Sequence, residues 1–323
     1  MSPPTSAPAR RTNLFQSFIR WFDSWDGMDQ PRSQDGQKIE WLRCLPFLWL
    51  HAMCLGVIWA GWSWTAVGVA FALYVIRMFA VTGIYHRYFS HRTYKTTRWG
   101  QFALAVLGAS AVQRGPLWWA AHHRHHHLYS DQPQDVHSPI QHGFFMSHMG
   151  WIMTPASFLT NLKAVPDLAK FPELRFLDRF DTLVPILLGT SLYGLGAILE
   201  RVAPGLGTNG FQMLIWGFFI STVVLFHCTQ TINSLAHMVG EQRYDTGDAS
   251  KNSFILAIIT LGEGWHNNHH HYPTSTRQGF YWWEIDFSYY TLVALSWTGL
   301  IWDLKPVPDR IRDSKRLDME AVA

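Results

Sequence analysis

Two kinds of stretch alternate along this chain: long apolar runs almost free of charge, and polar blocks dense in histidine. Residues 44–86 are nearly uninterrupted hydrophobic sequence, about twice the roughly 20 residues that one membrane-spanning helix needs. Uncharged Gly61-Trp62-Ser63-Trp64-Thr65 offers a turn near the middle, with tryptophans suited to the membrane interface. The pattern predicts a helical hairpin with spans over 44–62 and 66–86. A second apolar pair covers 183–199 and 210–231, joined by Glu200 to Asn209, where Pro204, Gly205 and Gly207 break the helix. Residues 287–302 are apolar but fall short of a full span, so they read as a surface-lying or cap helix.

Upstream, Leu14, Phe18, Phe22 and Trp25 follow helical spacing, which predicts an amphipathic helix lying along the membrane or packed on the polar part. Residues 2–8 read as a disordered Pro/Ser leader, and the first 43 residues lack the continuous apolar core of a signal peptide. The expected organisation is a leader and amphipathic segment over 1–43, one membrane domain over 44–303 and a basic tail over 304–323.

Charge orients this arrangement. Residues 87–182 hold ten Lys or Arg, whereas the short outer loops hold only Arg201. The positive-inside rule then places the histidine blocks and both termini on the cytoplasmic side. The chain is 48% apolar with 17 Trp, yet its mean hydropathy is near zero, as expected of a membrane protein with a substantial aqueous part. A net charge of +3 gives no sign of nucleic acid binding. Cys44, Cys54 and Cys228 all lie in predicted spans and form no Cys-x-x-Cys pair, which excludes a rubredoxin-type or zinc-ribbon module and argues against a disulfide framework.

The chemistry lies in the histidines. Seventeen are present, and they cluster as His86-x4-His91, His123-x2-His126-His127 and His266-x2-His269-His270, just beyond the apolar runs. Residues at i, i+3 and i+4 share one helix face, so His123, His126 and His127 present three rings together, as do His266, His269 and His270. Neutral imidazole suits iron, zinc, copper or nickel, so the spacing argues for a transition metal without choosing which. His122, His125 and His271 point elsewhere on an ideal helix. His137 and His148 are read as hydrogen-bonding residues of the cap, and His51 and His227 as lone neutral histidines packed between spans. A metal transporter would place ionisable ligands within the bilayer, whereas these clusters lie beyond the span ends.

The contexts are more specific than the spacings. The first cluster reads His86-Arg87-Tyr88-Phe89-Ser90-His91-Arg92-Thr93-Tyr94, and the second His123-Arg124-His125-His126-His127-Leu128-Tyr129, followed by Asp135 and Gly143 to Trp151. After the fourth apolar run come Asn233-Ser234-Leu235-Ala236-His237 and then Gly262-Glu263-Gly264-Trp265-His266-Asn267-Asn268-His269-His270. This succession closely resembles the membrane fatty acyl desaturases of the stearoyl-CoA, or delta-9, type, over roughly residues 44–300.

The resemblance implies an all-α integral membrane protein, with four transmembrane helices in two hairpins below a cytosolic helical cap that carries a histidine-rich di-metal site. It implies two iron ions held by His86, His91, His123, His126, His127, His237, His266, His269 and His270, with Asn233 acting through a water. O2 is then the co-substrate, and the reaction is insertion of a cis double bond into a saturated fatty acyl chain. Metal-bound imidazoles donate their other N–H to a carboxylate or carbonyl, so Asp135 and Glu263, each beside a cluster, are candidate partners. Trp119 and Trp265 are candidates for the wall of an apolar tunnel, with Tyr74 and Met78 at its closed end. Gln113 and Arg114 are candidates for the head group.

The stretch before the second cluster departs from the animal enzymes, lacking their acidic and amide positions. Acyl-CoA nevertheless remains the first expectation, with phospholipid-linked or carrier-protein-linked acyl chains as alternatives. A fused cytochrome b5 segment is absent from either end, so the expected form is bacterial-like and resides in the inner membrane. A ferredoxin or cytochrome b5 with its reductase is then the separate electron donor. The rival reading is a membrane di-iron hydroxylase, which would leave an oxygen on the product.

Overall fold

The structure is a computed structural model that describes residues 14–28 and 38–317; the expected leader at 2–8 and the last residues of the basic tail lie outside the described residues. Helices dominate. The sheet found among the described residues is a single antiparallel pair, Lys95–Thr96 with Ile301–Trp302.

Four helices are long and apolar enough to cross a bilayer: Trp41–Ala60, Trp64–Ser90, Leu183–Val202 and Gly210–His237. The first two meet at Gly61, whose φ of +65° suits glycine, and Ser63 caps the second helix by accepting from the Ala66 N–H. The second and fourth helices run past their expected ends at 86 and 231, to Ser90 and His237. At 1.5 Å per residue, helices of 27 and 28 residues reach about 40 Å, roughly 10 Å beyond the hydrocarbon core. Their polar ends are supported by packing in the cap instead of by lipid, which an apolar-run criterion cannot register.

The overhang of the second helix is held by a buried cluster. Ile84, Tyr85 and Phe89 pack with Leu117, Ala120 and Ala121 of the helix Pro116–Tyr129. Deeper down, Arg77 is fully buried in the second span. It donates to Thr222 Oγ1 at 2.8 Å and to the Ser221 hydroxyl, both on the fourth span, and to the Ser110 carbonyl at 3.3 Å. A charged side chain among neutral oxygens inside the membrane region cross-links the two helices that carry ligands upward.

The helix Leu14–Phe22 packs on the cap through the residues that follow it and leaves an apolar face exposed. Leu14, Phe15, Phe18 and Phe22 are exposed on one face, while Ser24 and Trp25 just beyond it bond Asp181 and Asp178 of the cap. Residues 287–302 form the helix Phe287–Trp297 and the strand that pairs with Lys95–Thr96. Ser288 Oγ lies 2.6 Å from Thr82 Oγ1, so this segment docks beside the second span and returns to the cap.

Candidate metal centre

His86 and His91 are five residues apart, a spacing that separates two side chains on an α-helix. Residues Ala80–Ser90 are π-helical, and the His91 N–H reaches the His86 carbonyl at 3.2 Å. Five-residue turns bring both rings to one face. The second cluster lies on the helix Pro116–Tyr129, begun by a proline that needs no N–H there. The last lies on the short helix His266–His271, positioned by Gly262 and Gly264. Gly262 has φ +123°, and a Cβ on Gly264 would stand 2.0 Å from the Ala257 backbone nitrogen, so the loop folds this tightly only with glycines. His237 ends the fourth helix.

These elements gather nine histidines into two groups, each with one ring nitrogen per residue within 4.8 Å of the others. One holds His86, His91, His123, His127 and His269; the other holds His126, His237, His266 and His270. Each triad expected to face one way is therefore divided. The i and i+4 members go to one group and the i+3 member to the other, because the shared face is wide enough to straddle two centres.

The donor atoms fit metal ions. Nε2 atoms face one another at 2.9 Å (His86 and His269), 2.8 Å (His91 and His123), 2.8 Å (His127 and His269) and 3.0 Å (His237 and His266). The Nδ1 atoms point outward to carboxylates: His86 to Glu263 at 2.5 Å, His126 to Asp135 at 2.9 Å, His237 to Asp131 at 2.8 Å and His270 to Asp248 at 2.6 Å. A ring that donates Nδ1–H keeps its lone pair on Nε2, so the carboxylates fix the tautomer that ligates. His270 Nε2 is buried without a hydrogen-bond partner. Converging, orphaned lone pairs repel one another unless a cation lies among them.

Electrostatics point the same way. Burial, followed by the neighbouring imidazoles, pushes His91, His123, His127, His266 and His269 well below the ordinary histidine pKa. Burial takes His270 down to about 4 against the pull of Asp248. In His126 burial is outweighed by the charge and hydrogen bond of Asp135, and the pKa rises. Burial would raise the four carboxylates, but their histidine partners, aided by Arg87 at Glu263, hold all four below the usual range. The six imidazoles held low are neutral, and with ionised carboxylates behind the site they suit a transition metal.

Asp135 and Glu263 thus lie where a partner of a ligating histidine belongs, and Asp131 and Asp248 join them without having been singled out in the sequence. Asp131 sits in the same turn as Asp135, a signal available in hindsight; Asp248 stands among ordinary loop residues. Asn233 donates its amide to Gln230 Oε1 at 2.9 Å.

The remaining histidines stay outside the two groups. His125 bonds the Gln134 carbonyl and His271 the Ile311 carbonyl, while His122 packs on Trp118. His137 Nδ1 lies 3.5 Å from Asp135, sharing that carboxylate with His126. His51 and His227 are not lone residues. Their Nε2 atoms lie 3.1 Å apart, and His227 continues to His148 at 3.0 Å and so to Ser234 Oγ. The sequence could not pair residues so far apart along the chain.

Two adjoining cavities reach the centre. The outer one runs from Arg20, Arg43 and Arg114 to His123, and the inner one from His123 and His126 to Met78; both are lined by Trp119, Thr229 and Asn233. Gln113 bonds Thr229 Oγ1 at 3.0 Å near their junction, while Arg114 pairs with Asp181 at 2.7 Å further out. Met78 lines the inner cavity, whereas Tyr74 packs behind Met78 and donates to the Ile259 carbonyl. Trp265 is turned away and donates to the Ile285 carbonyl.

Comparison with known proteins adds a lineage to this geometry. The family described as fatty acid desaturase matches residues 62–297. The chain is 34% identical to an acyl-CoA 5-desaturase of Anemone leveillei, over 91% of this chain and 90% of that one. It is 36% identical to an sn-1 stearoyl-lipid 9-desaturase of Anabaena variabilis, over 83% and 94%. A similarly named enzyme of Synechocystis is 32% identical over 94% and 92%.

Proposed function

The chain belongs to the fatty acid desaturase family, and from that premise we propose that it is an O2-dependent desaturase forming a cis double bond, at the delta-9 position, in a saturated acyl chain. The observation that carries this reading is the pair of converging imidazole groups beside an apolar cavity. The balanced reaction takes a saturated chain, O2, two electrons and two protons to an alkene and two waters. The electrons come from a ferredoxin or cytochrome b5 system. Two iron ions, one in each histidine group, would supply the O2 reduction that withdraws hydrogens from adjacent methylenes.

The protein's own part is placement. His86, His126, His237 and His270 are held in one tautomer by Glu263, Asp135, Asp131 and Asp248. Asn233, beside both cavities, is the candidate to hold a water at the four-histidine group. Trp119 and Thr229 mark the junction where a chain passes the centre, and Met78 closes the inner end. Methylenes are chemically almost identical, so position is chosen by geometry. Arg43 and Arg114 at the outer cavity suit a phosphate-bearing head group, which acyl-CoA provides. A phospholipid-linked chain is the second reading, favoured by Trp21, Pro46 and Phe47 lining the same cavity beside the first span. The centre faces the cytoplasm, where the basic loops lie.

The deciding experiment is mass spectrometry of fatty acids from aerobic desaturase-deficient cells expressing the chain, with derivatisation to locate the double bond. A new monounsaturated acid, absent with His269→Ala, is the expected result. A hydroxylated chain would overturn the reading in favour of hydroxylation.

A further inference from the structure

The two histidine groups are alike in donor chemistry and unlike in charge. In the four-histidine group, His126, His237 and His270 each give Nδ1–H to a buried carboxylate, Asp135, Asp131 and Asp248 respectively. Among the described residues none of these three carboxylates is paired with Arg or Lys. Their other partners are Ser138 and the Ala249 N–H for Asp131, the Asp131 N–H together with the backbone N–H and ring of His137 for Asp135, and Thr246 and Ser250 for Asp248.

The five-histidine group has one carboxylate, Glu263 on His86, and its charge is shared. Arg87 Nη2 lies 3.0 Å from Glu263, and the same guanidinium pairs with Asp286 at 2.9 Å. His269 Nδ1 faces only the neutral amide of Gln278, at 3.5 Å.

Imidazoles are neutral, so the part of ion binding that scales with the ion's charge comes from the carboxylates one ring away. Buried charges are little screened by salt or water. Losing one such outer partner costs about 10- to 100-fold in metal affinity. Two additional, uncancelled carboxylates therefore outweigh the one additional imidazole of the other group. They also hold three of four rings in the ligating tautomer, against one of five.

Resting on the two-metal reading of this centre, we propose that the sites are unequal: the four-histidine site is the tight one, filled first and emptied last, and the five-histidine site is the exchangeable one. Asp131, Asp135 and Asp248 are the positioning residues that set the difference.

The test uses the full chain loaded anaerobically with Fe2+ and equilibrated against graded chelator, with ions per chain counted by plasma mass spectrometry and dispersity followed by gel filtration. The expected curve has a plateau at one ion per chain, with the two steps at least about 10-fold apart. Asp248→Asn, or independently Asp131→Asn, weakens the tighter step about 10- to 100-fold and leaves the weaker step in place. Glu263→Gln weakens only the looser step. A single step from two ions to none, no retained iron, or a tighter step moved by Glu263→Gln overturns the proposal. The readout involves neither substrate nor O2, so a chain that fails to desaturate can still support it, and an active desaturase can still refute it.

Discussion

The first and third spans differ from the second and fourth in length and in surroundings. Each of the former has 20 residues, with 6% and 22% of its most apolar stretch buried within the protein; the latter have 27 and 28 residues, with 50% and 56% buried. All four are nonetheless apolar enough to cross a bilayer. The odd-numbered helices face lipid, as Ile58 and Trp59 do at 70% and 82% exposure. The even-numbered helices face one another, Arg77 binds them together, and their ends rise into the cap with His86 and His237. The same residue types thus serve as anchor in one pair of helices and as scaffold in the other, and neighbours decide which.

This contrast can be sharpened by substitution, beginning at the scaffold ends. His266→Ala removes a donor from the four-histidine group, and product formation should fall by more than about 100-fold, beyond the loss of an outer partner. Trp59→Ala on the first span should leave it nearly unchanged, as measured by the same fatty acid analysis. A large loss from Trp59→Ala would end the distinction between anchor and scaffold.

Within the bilayer, Arg77→Leu strips two hydroxyl oxygens of the fourth span and the Ser110 carbonyl of their donor. A destabilisation of about 1–3 kcal/mol is expected from the unsatisfied partners, read as a lower midpoint in thermal unfolding of the purified protein. The lipid-facing substitution Ile58→Val should stay within about 0.5 kcal/mol. Equal effects at both positions would show that the second span gains nothing from its burial.

A finer effect separates Met78 from Tyr74. Met78→Ala opens the inner cavity and should extend the accepted chain length, whereas Tyr74→Phe removes a hydroxyl that lies outside the lining and should leave product lengths as they were. The chain-length profile of products decides between them, and a shift with Tyr74→Phe alone would move the closed end one residue layer deeper.

The scaffold also explains which parts of this protein were legible in one dimension. Apolar run length is a local sum of transfer energies, so it located all four spans, missing by a few residues where Ser90 and His237 extend beyond lipid. Local spacing brought His123, His126 and His127 to one face, because helix geometry repeats every few residues. The same rule could not divide them between two centres. That division depends on His86, His237 and His269 arriving from elsewhere, and on a π-helical turn that brings His91 round to His86.

The sequence by itself therefore determined the four helices apolar enough to cross a bilayer and the imidazole clusters able to hold a metal, each a property of composition or of neighbours within a turn or two. Tertiary structure alone decided the five-and-four partition, the pairing of His237 with Asp131, the contact between His51 and His227 and the burial of Arg77 against the fourth span. Each of these is a distance between residues far apart in the chain. Such distances are set by packing of whole helices, to which no local spacing has access.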